Sequence, residues 1–294
     1  MILSALIGKY EIAAVVTQPD TKAGRGQKVA LSPVKALAEK HGLTVLQPPR
    51  IIPEVVEQVR TLAPAAIVVA AYGRILPKGL LALPQRGCIN VHASLLPRYR
   101  GAAPIPAAIL SGDAQTGVTI MLMEETLDTG PILSQSALHI EPEDTTGSLT
   151  EKLANLGAQL LVDTLPDWLA GRSTARPQDE SQATMAKMIQ REDGRIRWTE
   201  PAEMIARRCR AYSPWPGAFA LWNKMELKIW RAHAQDTVVE NFEPGKVIES
   251  GGEIAVITGK GLLVLDKVQL PGKRVLPMND FRQGQRSFLG SLLD

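Results

Sequence analysis

Along the first 170 residues, short β-branched runs alternate with segments whose apolar side chains recur every three or four positions. This is the pattern of a parallel sheet covered by helices. Ile12–Val16, Leu43–Leu46, Ala65–Ala71, Cys88–His92, Thr116–Met123 and Ile132–Ile140 read as strands. The run Ala65–Ala71 is nearly all apolar, which predicts a strand buried on both faces. Ser32-Pro33 opens a helix, with serine as cap and proline in the first turn, and with Val34, Leu37 and Ala38 on one face. Pro53–Leu62 predicts a helix with Val55, Val56 and Val59 inward. Ser148–Leu165 predicts another, with Leu149, Leu153, Leu156, Leu160 and Leu161 along one side.

After Gly171 the pattern changes. Arg172–Thr184 is polar, contains Pro177 and has no apolar period, as a linker does. A short helix over Ala202–Ala211 follows. Strands are then predicted near Phe219–Trp222, Leu227–Ala232, Gly245–Ile248, Ile254–Thr258 and Gly261–Val268. Short strands between glycine turns suggest a small β-barrel of the oligonucleotide-binding type. The expected organisation is an α/β domain with a Rossmann-like, mainly parallel sheet over residues 1–171, a linker over 172–189 and a β-barrel over 190–294.

Composition narrows this picture only a little. Hydrophobic residues make up 45% and charged residues 21% of the 294, the balance of a folded protein. No apolar run is long enough to cross a bilayer, and the first eight residues lack a signal peptide's basic start, so a cytoplasmic location without membrane contact is expected. Cys88 and Cys209 suit buried, reduced thiols better than a disulfide or a metal pair. Net charge is +3, and the whole excess lies in residues 190–294, with 16 Lys and Arg against 13 Asp and Glu. That distribution is compatible with a phosphate-facing surface without requiring one.

Candidate chemistry concentrates between residues 88 and 130. On a strand ending near His92, Asn90 and His92 point to the same face. At the carboxyl end of a parallel strand that face opens into the crevice where α/β folds bind ligands. An amide donor beside an imidazole can hold a developing oxyanion, and the imidazole can carry a proton. Asp128, in Leu127-Asp-Thr-Gly130, is placed to orient or charge His92. Asp-x-Gly also shapes turns, and the local sequence leaves both roles open. An aspartic-protease reading of Asp-Thr-Gly fails, because that chemistry needs two such carboxylates and only one copy is present. The basic, glycine-rich loop Thr21–Lys28 fits neither a dinucleotide fingerprint nor a phosphate loop. It is either a solvated turn or a phosphate contact. Around Tyr212-Ser-Pro-Trp-Pro-Gly217, with Trp222 and Trp230, aromatic rings either stack on bases or fill a barrel core.

Taken in order, Thr17-Gln-Pro-Asp20 with Gly24-Arg-Gly26, Ala71–Pro77, Asn90-Val-His92, Ser94–Pro97, Arg100–Pro104 and Leu127–Gly130 resemble the motifs of the folate-dependent formyltransferases. The Tyr-Ser-Pro-Trp-Pro-Gly segment resembles the second domain of the branch that acts on tRNA. The resemblance implies Asn90, His92 and Asp128 as the catalytic trio. It implies Ser94, Leu95, Leu96 and Pro97 as contacts to 10-formyltetrahydrofolate, with Tyr72 and Ile75 beside the pterin. Arg25, with Lys22 and Lys28, falls on the loop that meets the tRNA acceptor end. The expected activity is formyl transfer to the α-amine of methionyl initiator tRNA, without a metal, by a monomer. The alternatives are a related transferase acting on a small amine and a non-catalytic RNA-binding remnant. The remnant is motivated by the start of the sequence: Met1–Gly8 aligns with the tail of the family's first helix, so the family's first strand and Gly-Thr-Pro-x-Phe turn have no counterpart. That strand lies centrally in the family's sheet, and without it neighbouring strands are expected to lack partners.

Overall fold

The computed structural model describes residues 1–23, 28–237 and 243–294. The chain begins with α1 (Ile2–Leu6) and β1 (Val15–Val16), then a hairpin of β2 (Thr21–Ala23) and β3 (Lys28–Ala30). Next come α2 (Pro33–Lys40), β4 (Val45–Leu46), α3 (Pro53–Thr61), β5 (Ile67–Val69), α4 (Lys78–Leu81) and β6 (Cys88–His92). They are followed by β7 (Arg100–Gly101), α5 (Pro104–Ser111), β8 (Gln115–Leu122), β9 (Ile132–His139), the long α6 (Thr146–Leu169) and β10 (Met185–Ala186). Residues 1–102, 116–138 and 151–186 form one compact unit; residues 103–115, 139–150 and 187–294 form a second.

Local chemistry accounts for most of these boundaries. Ser32 caps α2 through a bond from the Lys35 amide to its hydroxyl, and Pro33 fills the first turn. Ala38 is buried on that helix, but Val34 is 43% exposed, so its predicted inward face is narrower than the apolar pattern implied. Val56 and Val59 are the buried positions of α3. Helix α6 is fastened to the first unit by the Trp168 indole, which donates to the Arg86 carbonyl at 2.8 Å, and buries Leu153 and Leu161 there.

The first unit's sheet is mixed rather than simply parallel. β5 and β6 are parallel, with Ile67 opposite Cys88 and Val69 opposite Asn90. β6 and β8 are antiparallel, with Asn90 opposite Met121 and His92 opposite Thr119, and β9 completes the order β5-β6-β8-β9. An antiparallel edge on an otherwise parallel sheet is common. β1 and β4 are parallel to each other but form a separate two-stranded sheet. Between them and β5 lies an apolar cleft of about 650 Å³, lined among others by Ile2, Leu6, Val15, Val16, Ile67 and Val69. This explains why β5 is only half-buried, against the expectation of burial on both faces.

In the second unit, α7 (Ala202–Ala211) precedes β11 (Ala218–Trp222), β12 (Met225–Gln235), β13 (Val247–Ser250), β14 (Glu253–Ile257), β15 (Leu262–Gln269), β16 (Leu276–Pro277) and α8 (Met278–Gly284). The strands form a six-stranded antiparallel sheet in the order β11-β12-β15-β14-β13, with β16 beside β15. A register shift between Ile229 and Arg231 bends β12, as a barrel-like sheet needs. Trp222, Phe281 and Phe288 meet edge to face at 5.2–5.9 Å in its core. Trp222 is therefore a core residue, whereas Trp215 is exposed. Both cysteines are buried and free, and burial pushes the Cys88 thiol up to about 11 and the Cys209 thiol up to about 12.

Candidate active site

The candidate site is built at the C-terminal end of β6. Because β5 and β6 are parallel and in register, the loop 70–77 leaves the sheet at the same end as Asn90 and His92. Alternation along β6 puts Asn90 and His92 on one face. The side-chain amide of Asn90 makes no hydrogen bond among the described residues.

His92 is buried and bracketed by two oxygen acceptors. Its Nε2 lies 2.9 Å from the Tyr99 carbonyl, which can only accept, so Nε2 donates. Its Nδ1 lies 3.6 Å from Asp128 Oδ2. That separation is longer than a direct hydrogen bond, but it puts the carboxylate next to the ring with both side chains shielded from water, at 6% and 10% exposure.

Asp128 reaches the ring by an unexpected route. β8 runs antiparallel to β6, and the Met123 amide bonds the Cys88 carbonyl, so the strand ends beside the start of β6 rather than beside His92. The loop 123–131 carries Asp128 back to the imidazole. The loop's shape depends on local strain and close approach. Asp128 sits in the left-handed region at φ +55, and a Cβ on Gly130 would stand 2.0 Å from the Leu122 carbonyl oxygen. The Asp128 carboxylate accepts a 2.8 Å bond from the Gly101 amide, and the Asp128 and Gly130 carbonyls accept 2.8 and 2.7 Å bonds from the Gln178 side chain.

A turn leads from His92 to Arg100. Ser94 and Leu96 are buried, and the Ser94 hydroxyl donates to the Arg98 carbonyl at 2.6 Å. Underneath, Thr119 of β8 serves as a hub. Its hydroxyl donates to the Ser94 carbonyl at 2.6 Å and accepts from the Leu96 amide and from Gln135 Nε2, both at 3.0 Å. Gln135 also bonds the Leu96 carbonyl at 2.8 Å. Leu95 and Pro97 remain half-buried on the outer side of the turn. In the loop after β5, Ile75 is 87% exposed and the Tyr72 hydroxyl is buried without a partner among the described residues.

The basic loop can be followed only in part. Lys22 and Lys28 lie on the β2–β3 hairpin, opposite Val29 and Ala23 respectively. Arg25 lies outside the described residues. No three His, Cys, Asp or Glu side chains converge as metal ligands among the described residues, and no helix there is long and apolar enough to cross a membrane.

Thr119, Gln135 and Gln178 carry no role in the sequence reading, and Arg100 enters it only as the first residue of the motif Arg100–Pro104. The first two could have been flagged as polar side chains inside strands; Gln178 carries no local signal, because it sits in a polar, aperiodic stretch. Arg100 is 4% exposed and forms a two-pronged ion pair with Glu180, at 2.8 and 2.7 Å. The pairing holds the Arg100 guanidinium above, and the Glu180 carboxyl below, their ordinary values.

Compared with known families, residues 4–165 match the model described as formyl transferase, and residues 188–286 match formyl transferase, C-terminal domain. The chain belongs to the formyl transferase family. A relative named methionyl-tRNA formyltransferase, from Roseiflexus castenholzii, is 47% identical over 279 residues, covering 95% of this chain and 89% of the relative. Another of that name, from Myxococcus xanthus, is 47% identical over 291 residues, covering 98% of this chain and 92% of the relative. Among solved structures, HypX from Aquifex aeolicus in complex with tetrahydrofolic acid has a TM-score of 0.61 at 18% identity, over 86% of this chain and 44% of that one. WlaRD, a sugar 3N-formyl transferase solved in the presence of dTDP and 5-N-formyl-THF, has a TM-score of 0.66 at 16% identity, over 92% of this chain and 93% of that one. Those two establish a shared fold for this formyltransferase.

Proposed function

We propose that this chain moves a formyl group from 10-formyltetrahydrofolate to the α-amino group of methionyl initiator tRNA. The observation that carries the reading is 47% identity to methionyl-tRNA formyltransferases along 95% and 98% of the chain, through the second domain as well as the first. The sugar 3N-formyl transferase shares the fold over 92% of the chain but only 16% of its residues, so the level of identity, rather than the presence of a second domain, favours the tRNA reading.

The site supports the chemistry residue by residue. The donor supplies an activated formyl carbon; the methionyl amine bonds to it, and the bond from that carbon to the folate nitrogen breaks. Asn90 donates its amide hydrogens to the formyl oxygen as negative charge gathers there. His92 keeps its Nε2 hydrogen on the Tyr99 carbonyl, which leaves Nδ1, 3.6 Å from the Asp128 carboxylate, as the edge of the ring that can exchange a proton with a reacting group. The proton lost by the attacking amine passes through this pair and ends on the folate nitrogen. The half-buried side chains of Leu95 and Pro97, on a turn braced by Ser94 and by the hydrogen-bonded Leu96 main chain, are suited to packing against an extended ligand along the sheet's mouth. The unpartnered Tyr72 hydroxyl and exposed Ile75 support a heterocyclic ring at the neighbouring loop. Lys22, Arg25 and Lys28 are assigned to the tRNA acceptor end, and the enzyme is read as a cytoplasmic monomer.

The test is a transfer assay with formyl donor, charged initiator tRNA and, separately, free amino acids and amino sugars. Formylated methionyl-tRNA is expected. Transfer only to the small amines, or RNA binding with no transfer, overturns the reading.

A further inference from the structure

The polar stretch between α6 and β10 sends one side chain back into the loop that carries Asp128. Gln178 uses its whole hydrogen-bonding capacity there. Both amide hydrogens go to main-chain carbonyls, those of Asp128 at 2.8 Å and Gly130 at 2.7 Å. Its oxygen accepts from Arg100 twice, from Nε at 3.0 Å and Nη2 at 2.8 Å. A guanidinium can only donate and a carbonyl can only accept, so the amide has one admissible orientation. Arg100 is in turn fixed by Glu180, and its own amide bonds the Thr184 carbonyl at 2.9 Å. The next residue, Gly101, donates the 2.8 Å bond that aims the Asp128 carboxylate. One side chain thus ties together both strands of support around Asp128: the main chain that holds it at φ +55 and the turn that directs its oxygen toward His92. A non-glycine residue in the left-handed region persists only where its surroundings over-determine it.

We infer that Gln178 is a positioning residue for formyl transfer, clamping the Asp128 loop so that the carboxylate stays against the His92 imidazole. The inference rests on the assignment of Asp128 and His92 to the chemistry. It makes the stretch 178–186 a working part of the site rather than a tether.

Gln178→Glu is the informative variant. Its carboxylate still pairs with Arg100 but cannot donate to the two carbonyls, so the loop loses its clamp while the ion-pair anchor remains. Gln178→Met, of similar length and without hydrogen bonds, is the second variant should Gln178→Glu fold poorly. Each is expected to lower kcat about 10- to 100-fold, the scale of a catalytic group displaced by roughly 1 Å, with KM for donor and tRNA held within about two-fold. The kcat–pH profile should move in the same direction as in Asp128→Asn, but less far. The double variant Asp128→Asn/Gln178→Glu should be no slower than Asp128→Asn alone, because the clamp acts only through the carboxylate. A merely structural role would instead multiply the two losses. Near-normal turnover in Asp128→Asn would remove the underlying assignment. A crippled Asp128→Asn beside a Gln178→Glu or Gln178→Met of normal kcat, or multiplicative losses in the double variant, would overturn the clamp alone.

Discussion

Replacing Thr119 by valine changes almost nothing but a hydrogen-bond hub. The two side chains are nearly the same shape, so no cavity opens, yet the hydroxyl's three bonds vanish. The Ser94 carbonyl loses a 2.6 Å donor, and the Leu96 amide loses a 3.0 Å acceptor. Gln135 keeps its bond to the Leu96 carbonyl, so it is not orphaned. Thr119, Ser94 and Leu96 are 0%, 0% and 3% exposed, which keeps water from replacing the lost partners. Two buried main-chain groups left unsatisfied at about 1–3 kcal/mol each give a loss of about 2–6 kcal/mol. For a unit of this size that corresponds to a fall in Tm on the order of 10 °C. Thr119→Ser, which keeps the hydroxyl and gives up one methyl, should cost about 1 kcal/mol. Thermal melts of the two variants beside the parent measure the difference. Steady-state kinetics with the formyl donor varied should show a raised donor KM in the valine variant only, because the turn it unpins is the one assigned to the donor. Should Thr119→Val melt within about 2 °C of Thr119→Ser, the hub does not carry the turn and the reasoning is wrong.

Asn90→Ala removes an amide aimed at the reacting oxygen and is expected to reduce kcat by about 10²–10³ with melting unchanged; a loss confined to KM would contradict an oxyanion role. Gly130→Ala forces a methyl against the Leu122 carbonyl and moves the Asp128 loop. A fall in stability of about 1–3 kcal/mol with a larger loss of kcat is expected, and a variant with parental turnover would show that the loop can shift without consequence. With thiol groups held at about 11 and 12 by burial, Cys88 and Cys209 should resist a thiol reagent at pH 8 until the protein is unfolded by denaturant. Raised thiol values also fix the sign of a pH effect. The unfolded chain ionises its thiols first, so their contribution is intact below the ordinary thiol value and is lost as pH climbs through about 9 toward 11. Denaturant melts of Cys88→Ala should show a shallower decline over that interval.

Much of the fold was legible from periodicity. β6 and α7 occur where the pattern put them, because a β-branched run and a three-to-four residue apolar repeat each specify their own geometry. The Asn90–His92 pairing on one face follows from strand alternation alone. The approach of Asp128 does not. Its position depends on β8 running antiparallel and on a loop held by Gly101 and Gln178, 27 and 50 residues away from it in sequence. Hydrophobic pattern is silent on strand direction, and a polar residue in an aperiodic stretch looks the same whether it faces water or clamps a loop. Val34 shows the opposite failure: an apolar position on a predicted inward face that stays exposed because the helix is only partly covered.

The separate β1–β4 pair has a bearing on how the molecule breathes. Two register positions and a hydrophobic hollow beside them give this corner less cooperative support than β6, which is hydrogen-bonded along both edges. Its amide protons should therefore trade with deuterium through small local openings, while those of β6 wait for a far larger event. The corner that carries Thr17–Asp20 is thus the soft end of the first unit, and anything that plugs the hollow will slow the trade there before it changes the melting point.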